Sequence, residues 1–411
     1  MNQKCLTSIL SLHLYACIQG NLFAYTAYFS NVTEDNVTVV NTTDNSITAT
    51  IAGVVGAYDF AITPNGRFLY VSGLDNDIFV IDTSSNTVID LISIFSPRQI
   101  AISPDGESLY VTNVSTNYVN VYSTSTNTFS SSILIGQYTE EIAINPAGTL
   151  AYIGGVSDRI YVVNLDTNSI ITTTLNPNSI NDMIFSNDGT KVYVASGTDS
   201  STDPIYIYDT SNHTLLNSIS VGNSPSSMTL TPNGEFLYVT NQLSQTVSKI
   251  NTQTNFITTI DLAAGSGPEG IAITPDGNTL YTANYTSGNS SVINATNNTV
   301  TALVALASGL SDVIIAPLAT PASLSGSQKI NDFGVRYELY NSLNWTQSIT
   351  PATIGYNIYR NGTLIDSTTG INETTYVDHN REEGVSYEYS VKSRASNGDL
   401  SYPATVTVHS R

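Results

Sequence analysis

The chain has 411 residues, 33 acidic against 13 basic side chains, and a formal charge of −20. That length fits one large repeat domain plus a smaller one, and the charge argues against nucleic acid or anionic lipid as partners. Thr, Ser, Asn, Val, Ile and Tyr dominate, which is strand and turn chemistry, and both cysteines, Cys5 and Cys17, fall in the first seventeen residues. The remainder therefore holds neither disulfides nor thiolate metal sites.

Residues 1–24 read as an export signal. Lys4 supplies a positive end, Cys5 to Ile18 is largely apolar, and Ala24 is placed to precede a cut. Leu14-Tyr15-Ala16-Cys17 resembles a lipoprotein cleavage box, although the bulky Tyr15 is atypical. A lipid anchor at Cys17 is thus the lesser alternative to secretion. The apolar run is too short for a transmembrane helix, and no later run is long enough either.

From residue 25 the chain repeats with a period of about forty residues, the mark of one stacked supersecondary unit. Tyr28, Tyr70, Tyr110, Tyr152, Tyr193, Tyr238 and Tyr281 each open a copy, and Tyr-Val-Thr-Asn at 110–113 returns unchanged at 238–241. Every unit carries four short apolar runs. The first is Ile271-Ala272-Ile273 in one copy, followed by Pro275-Asp276-Gly277. Pro presets φ, Asp bonds the turn backbone, and Gly accepts a left-handed conformation, so a tight hairpin is expected. The turn recurs as Pro64-Asn65-Gly66, Pro104-Asp105-Gly106, Pro146-Ala147-Gly148, Asn187-Asp188-Gly189 and Pro232-Asn233-Gly234.

A second turn joins the third and fourth runs. It contains the column Asn45, Asn86, Asn127, Asn168, His213, Asn255 and Asn298. Six Asn and one His in one column predict a left-handed backbone site. The runs are short and β-branched, and read as strands buried on both faces. Four-stranded sheets repeated radially make a propeller, and seven copies make seven blades. The chain enters at the second strand type, near Tyr25–Asn31, and ends on an orphan first-type strand, Val313-Ile314-Ile315. That predicts a first blade shared by the two ends of the repeat region, which hides edges open to stray pairing.

These columns, in register over 25–317, resemble the YVTN family of β-propeller repeat proteins. The resemblance implies a protein that is often secreted or surface-attached, and a family in which most members have no assigned activity.

The region 318–411 resembles a fibronectin type III domain. Trp345 stands where that family has its buried strand tryptophan, and Tyr356 and Tyr359 fit the next strand. Asn361-Gly362 signals a two-residue hairpin. Gly384, Tyr387, Tyr389 and Val391 match the tyrosine-corner strand, with Tyr387 in the corner. The stretch Ser327 to Leu343, with Phe333, Tyr337 and Tyr340, departs from the pattern and reads as an added hairpin or docking surface. The expected fold is all-β: a seven-bladed propeller of four antiparallel strands per blade, closed by the terminal strands, then a fibronectin type III-like sandwich.

Little in the chain announces chemistry. His213 falls in the Asn turn column, while His379 and His409 lie in the tail. There is no Cys/His cluster, haem attachment motif or serine elbow. Propellers that resemble this one include haem-bearing reductases and His-dependent lyases, whose histidines are missing here.

One pair of columns stands out. Just before the first strand of each unit stand Asp59, Gln99, Glu141, Asp182, Ser227, Gly270 and Asp312, preceded by Tyr58, Arg98, Glu140, Asn181, Ser226, Glu269 and Ser311. First strands line a propeller axis, so these residues should ring one channel mouth. Asp59, Arg98, Glu140, Glu141, Asp182, Glu269 and Asp312 are the candidate binding residues. Carboxylates about 8 Å apart repel by roughly 2 kcal/mol at an effective dielectric near 20. Water must screen such a ring, or a cation fill it. Calcium suits oxygen-only ligands, and Asp59, Glu141, Asp182 and Asp312 would be its set. The competing reading is a solvated acidic rim on an acidic protein, and no turn or packing requirement evident in the sequence asks for carboxylates there.

The sequence thus points to an exported or cell-surface binding or scaffold protein without a catalytic step. Its expected partner is a protein or surface glycan, with basic partners suited to its charge. Two alternatives stand beside it: a metal-assisted hydrolase or lyase of the lactonase type, and a structural surface-layer component.

Overall fold

The computed structural model describes residues 25–74, 76–155, 159–175, 179–197, 204–317, 324–332, 337–346, 348, 353–395, 401 and 404–409. The export-signal and Cys17 expectations, the linker at 318–323 and Phe333 lie outside them. The described residues are all strand and turn, with no helix among them.

Seven four-stranded antiparallel sheets occupy residues 26–315. Sheets are numbered here in chain order. In sheet 1 the order is Leu310–Ile315, Thr26–Asn31, Asn36–Asn41, Ser46–Ala52. The late strand Leu310–Ile315 thus pairs with the earliest, Tyr28 opposite Ile314 and Phe29 opposite Val313. The other six are continuous in sequence, each starting from an inner strand: Ala57–Ile62, Pro97–Ile102, Thr139–Ile144, Ile180–Phe185, Pro225–Leu230 and Pro268–Ile273. Each inner strand lies against the next, and Leu310–Ile315 lies between those of sheets 7 and 2.

The predicted turn chemistry is present. Gly66 takes φ 72° and donates its amide to the Thr63 carbonyl at 2.7 Å. Asn65 accepts from the Thr63 hydroxyl at 2.7 Å and the Arg67 amide at 3.0 Å, closing the hairpin. The second turn column is left-handed in all seven copies, from φ 51° at Asn168 to 61° at His213. The repeat tyrosines explain why that column prefers Asn. Tyr28 donates to Asn86 at 3.1 Å, Tyr70 to Asn127 at 2.8 Å and Tyr281 to Asn45 at 2.6 Å, each reaching from one sheet to its neighbour. Such a bond contributes about 1 kcal/mol, and an unpaired buried hydroxyl would cost more. Apolar packing between sheets contributes more than these bonds. Tyr28, Val37 and Val39 of sheet 1 pack on Phe60, Leu69 and Val71 of sheet 2, at roughly 1.5–3 kcal/mol for each large apolar side chain buried.

Burial corrects one expectation. The second and third strands are buried on both faces, but the outermost strand is not: Ser46–Ala52 and Thr87–Ser93 are largely exposed. Each outer strand has sheet on one side only, so its Thr and Ser face solvent.

After residue 323 come two further sheets. One has the order Ser325–Asp332, Tyr337–Asn344, Thr375–Asp378; the other Thr363–Ser367, Thr353–Arg360, Tyr387–Ala395, Ala404–Val408. Asn361 and Gly362 take φ 47° and 77° in the expected hairpin. Trp345 is buried edge-on against Tyr356, and the Tyr387 hydroxyl accepts from the Glu382 amide at 3.3 Å. The stretch Ser327 to Leu343 is no addition to this unit. It forms most of the hairpin that opens it, with Lys329 opposite Tyr340.

Candidate functional site

The acidic column lies within the inner strands, not before them. Asp59, Gln99, Glu141, Asp182, Ser227, Gly270 and Asp312 are each the third residue of an inner strand. A bulge sits beside every one of them, between Ala57 and Asp59, Pro97 and Ile100, Thr139 and Glu141, and likewise in the other sheets. A bulge leaves one residue unpaired and turns its neighbours off the ladder. Each inner strand is also the edge of its sheet, so the amides on its open side must find acceptors outside that sheet.

The column supplies them, one sheet to the next. Asp59 accepts from the Ile100 amide at 2.7 Å, and Asp182 from the Met228 amide at 2.6 Å. Gln99 accepts from the Ile142 amide, and the Phe60 amide stabilises Asp312. There is therefore a packing requirement at this column after all: it calls for an acceptor, and a neutral one serves, as Gln99 shows.

Hydroxyls two places after the repeat tyrosine complete the join. Ser72 and Thr112 accept from the Asp59 and Gln99 amides at 3.2 and 2.9 Å. Thr112 and Thr240 donate onward to the carbonyls of Glu140 and Glu269 in the next sheet, at 2.9 and 2.7 Å. Sequence reasoning missed this role, although its signal was present in the third letter of Tyr-Val-Thr-Asn. Ser30 does the same in sheet 1, accepting from the Asp312 amide at 2.9 Å and donating to the Tyr58 carbonyl at 3.0 Å, while Gly154, Ala195 and Ala283 occupy the place in the other three sheets and have no hydroxyl.

The column closes around one cavity of about 210 Å³, lined from all seven inner strands. Asp59, Glu141, Asp182, Glu269 and Asp312 bring five carboxyl groups to it. Arg98 stacks on Tyr58 with its guanidinium carbon 4.2 Å from the ring centre, a cation–π contact. Its charge reaches Asp59, Glu141 and Glu269. Glu140 enters the network through its backbone carbonyl and does not line the cavity. Glu269 accepts from Gln242 at 2.7 Å.

Burial dominates the electrostatics here. Desolvation pushes Asp59 up to about 7, with Asp182 adding repulsion and two backbone amides and Arg98 opposing it. Desolvation likewise pushes Asp182 up to about 7 against the Met228 and Met183 amides, and Glu269 to about 7 against Arg98 and Gln242. Glu141 and Asp312 are raised well above the usual carboxylate range by burial first and neighbouring carboxyls second. Glu141 is buried, whereas Asp59, Asp182, Glu269 and Asp312 are half-buried where they meet the cavity. Among the described residues no three His, Cys, Asp or Glu side chains gather closely enough to hold a metal ion. His213 keeps to its turn, with its Nδ1 2.6 Å from the Tyr152 hydroxyl, far from this chemistry.

Comparison with known proteins bears on the fold. The chain is similar to the solved structure of Kuenenia stuttgartiensis hydrazine synthase at 21% identity and TM-score 0.61, covering 70% of this chain and 99% of that one. It is similar to a functionally unknown protein from Desulfotomaculum acetoxidans at 19% identity and TM-score 0.61, covering 71% and 98%. A dihydro-heme d1 dehydrogenase, NirN, solved in complex with DHE, matches at 13% identity and TM-score 0.56, covering 70% and 74%. No curated protein matches. The expectation of a propeller repeat family therefore holds, under a description other than YVTN. With a family match spanning residues 11–320, the chain belongs to the YNCE-like β-propeller family.

Proposed function

We propose that this chain is an exported or cell-surface recognition protein that binds a basic segment of a protein partner at the axis of its propeller. In this reading the seven sheets are the blades of one closed ring, sealed by Leu310–Ile315 beside Thr26–Asn31, and the two C-terminal sheets are a fibronectin type III-like module that spaces or displays it. The observation that carries the proposal is the axial cavity, which five carboxyl groups line while the charge of Arg98, stacked on Tyr58, reaches only three of them. Complementary charge of this kind steers and selects a partner more than it fixes affinity. The apolar-segment reading of residues 1–24 supports export.

The test is titration with a lysine-rich peptide and with its acidic counterpart, each at low and at physiological salt. The proposal expects the basic peptide alone to bind, and to bind more weakly as salt rises. Indifference to peptide charge would sink it. An enzymatic role is the second reading, favoured by the likeness to two proteins named as a synthase and a dehydrogenase. Since fold alone does not carry function, that reading calls for turnover of a lactone or related ester panel.

A further inference from the structure

The chain holds twelve Asn-X-Ser/Thr triplets, the acceptor pattern for N-linked glycans, and the fold sorts them. Asn31, Asn113 and Asn284 are buried, and each engages its amide nitrogen inside the fold. Asn31 Nδ2 donates to the Ala307 carbonyl at 3.3 Å, Asn284 Nδ2 to Asn289 at 2.8 Å, and Asn113 Nδ2 to the Phe95 carbonyl. A bulky hydrophilic glycan at any of the three would displace packed chain.

Asn212 and Asn297 are placed the other way. Each stands just before the left-handed residue of an outer turn, His213 in sheet 5 and Asn298 in sheet 7, and each is exposed. The Asn212 side-chain carbonyl accepts from the Thr214 amide at 3.1 Å and the Thr214 hydroxyl at 2.7 Å. That of Asn297 accepts from the Thr299 amide and hydroxyl at 3.2 and 2.7 Å. In sheet 1 Asp44 closes the same turn through the Ser46 amide and hydroxyl, at 3.0 and 2.7 Å. The turn therefore asks only for an acceptor oxygen. The amide nitrogens of Asn212 and Asn297 are surplus to it: among the described residues neither has a hydrogen-bond partner. Two bonds to the carbonyl also polarise the amide, which eases loss of an N–H proton.

We propose that Asn212 and Asn297 are N-glycosylation sites, filled by a transferase that draws on a lipid-phosphate-linked oligosaccharide. In that step Nδ2 bonds to the anomeric carbon of the first sugar as the bond from that carbon to the phosphate oxygen breaks. The lipid phosphate leaves with the electron pair, and one Nδ2 proton passes to a base on the transferase. The proposal rests on the export part of the reading above and not on its axial site. Both glycans would leave the axial cavity open. In sheet 5 Asp182 pairs with Ala195 and Ala195 with Ile205, near the start of the third strand, whereas Asn212 follows that strand's far end at Asp209. The register of sheet 7 places Asn297 likewise.

The experiment is glycopeptide mass spectrometry on the full chain, recovered separately from the medium, the surface and the cytoplasm of the cells that produce it. Peptides holding Asn212 and Asn297 from the exported fractions should carry glycan masses, and those holding Asn31, Asn113 and Asn284 should carry none. Thr299→Val keeps Asn297 but removes the hydroxyl, and should lose the glycan at Asn297 while keeping that at Asn212. Asn297→Asp should lose it too and still fold, since Asp44 closes the same turn in sheet 1. Should Thr299→Val fail to fold, the peptides of the unmodified sequence decide the matter. Exported chain without glycan at either position overturns the glycosylation and leaves export standing. Chain confined to the cytoplasm and free of glycan overturns both. A glycan on Asn31, Asn113 or Asn284 overturns the sorting by burial, and one that persists at Asn297 in Thr299→Val overturns the triplet as its determinant.

Discussion

Replacing Asp182 by Asn should stabilise the protein by an amount that grows from about pH 4 and levels off above about pH 7. The Asp182 carboxyl accepts the Met228 amide at 2.6 Å, and an Asn carbonyl can do the same, as Gln99 does for Ile142. What the substitution removes is the buried charge. Burial raises Asp182 from 3.8 to about 7. A group with a raised folded-state pKa gives stability that is fully present below its unfolded value and is lost as pH rises through its folded value. The loss therefore falls between about pH 4 and pH 7. A rise of that size corresponds to about 4 kcal/mol. The side chain keeps some contact with cavity water, so about 1–3 kcal/mol is the reasonable expectation. Asp182 also raises Asp59, Glu141 and Asp312, and relief of those neighbours works in the same direction. Thermal melting of both proteins from about pH 4 to pH 8 is the assay. Nearly equal Tm values are expected at about pH 4, and a higher Tm for Asp182→Asn at pH 8, by about 2–4 °C per kcal/mol. A gain of the same size at both ends, or a loss at pH 8, would refute the assignment of a buried, proton-holding acceptor.

Three further outcomes follow from the joins between sheets. Tyr70→Phe removes the bond to Asn127 and should cost about 1 kcal/mol in denaturant unfolding; an unchanged midpoint would mean that the tyrosine column serves packing alone. His213→Asn should be neutral within about 0.5 kcal/mol, because the site needs a left-handed residue that pairs with Tyr152, while His213→Val should lose about 1–2 kcal/mol. Deleting Asp312 to Pro317 removes most of the strand paired with Thr26–Asn31 and should leave an aggregating protein, a result that a monomeric truncation melting like the full chain would contradict.

The sheets were legible because the repeat states each structural need seven times. The Pro-Asx-Gly turns and the left-handed Asn column need only local backbone rules, and both stand as expected. The Val313-Ile314-Ile315 pairing was legible from phase alone, since a strand type left over at one end must find its missing sheet at the other. The outermost strand was misread as doubly buried. Its apolar content misled: in Thr87–Ser93 the side chains of Ile89 and Leu91 are exposed and only Ile92 is buried, because the strand has no sheet on its outer side. At the axis, the residues were found but their work was not. Which sheets lie side by side is a three-dimensional fact, so nothing in a linear column says that the Ile100 amide, on the open edge of its sheet, needs Asp59.

The stability prediction requires axial carboxyls that are buried acceptors and hold protons near neutral pH. Carboxyl-carbon NMR titration of aspartate-labelled protein measures this directly, with Asp59→Asn and Asp182→Asn spectra identifying the two signals. Midpoints near 7 are predicted for both residues. Midpoints in the ordinary range near 4 would return the ring to a solvated rim and contradict the buried-acceptor assignment.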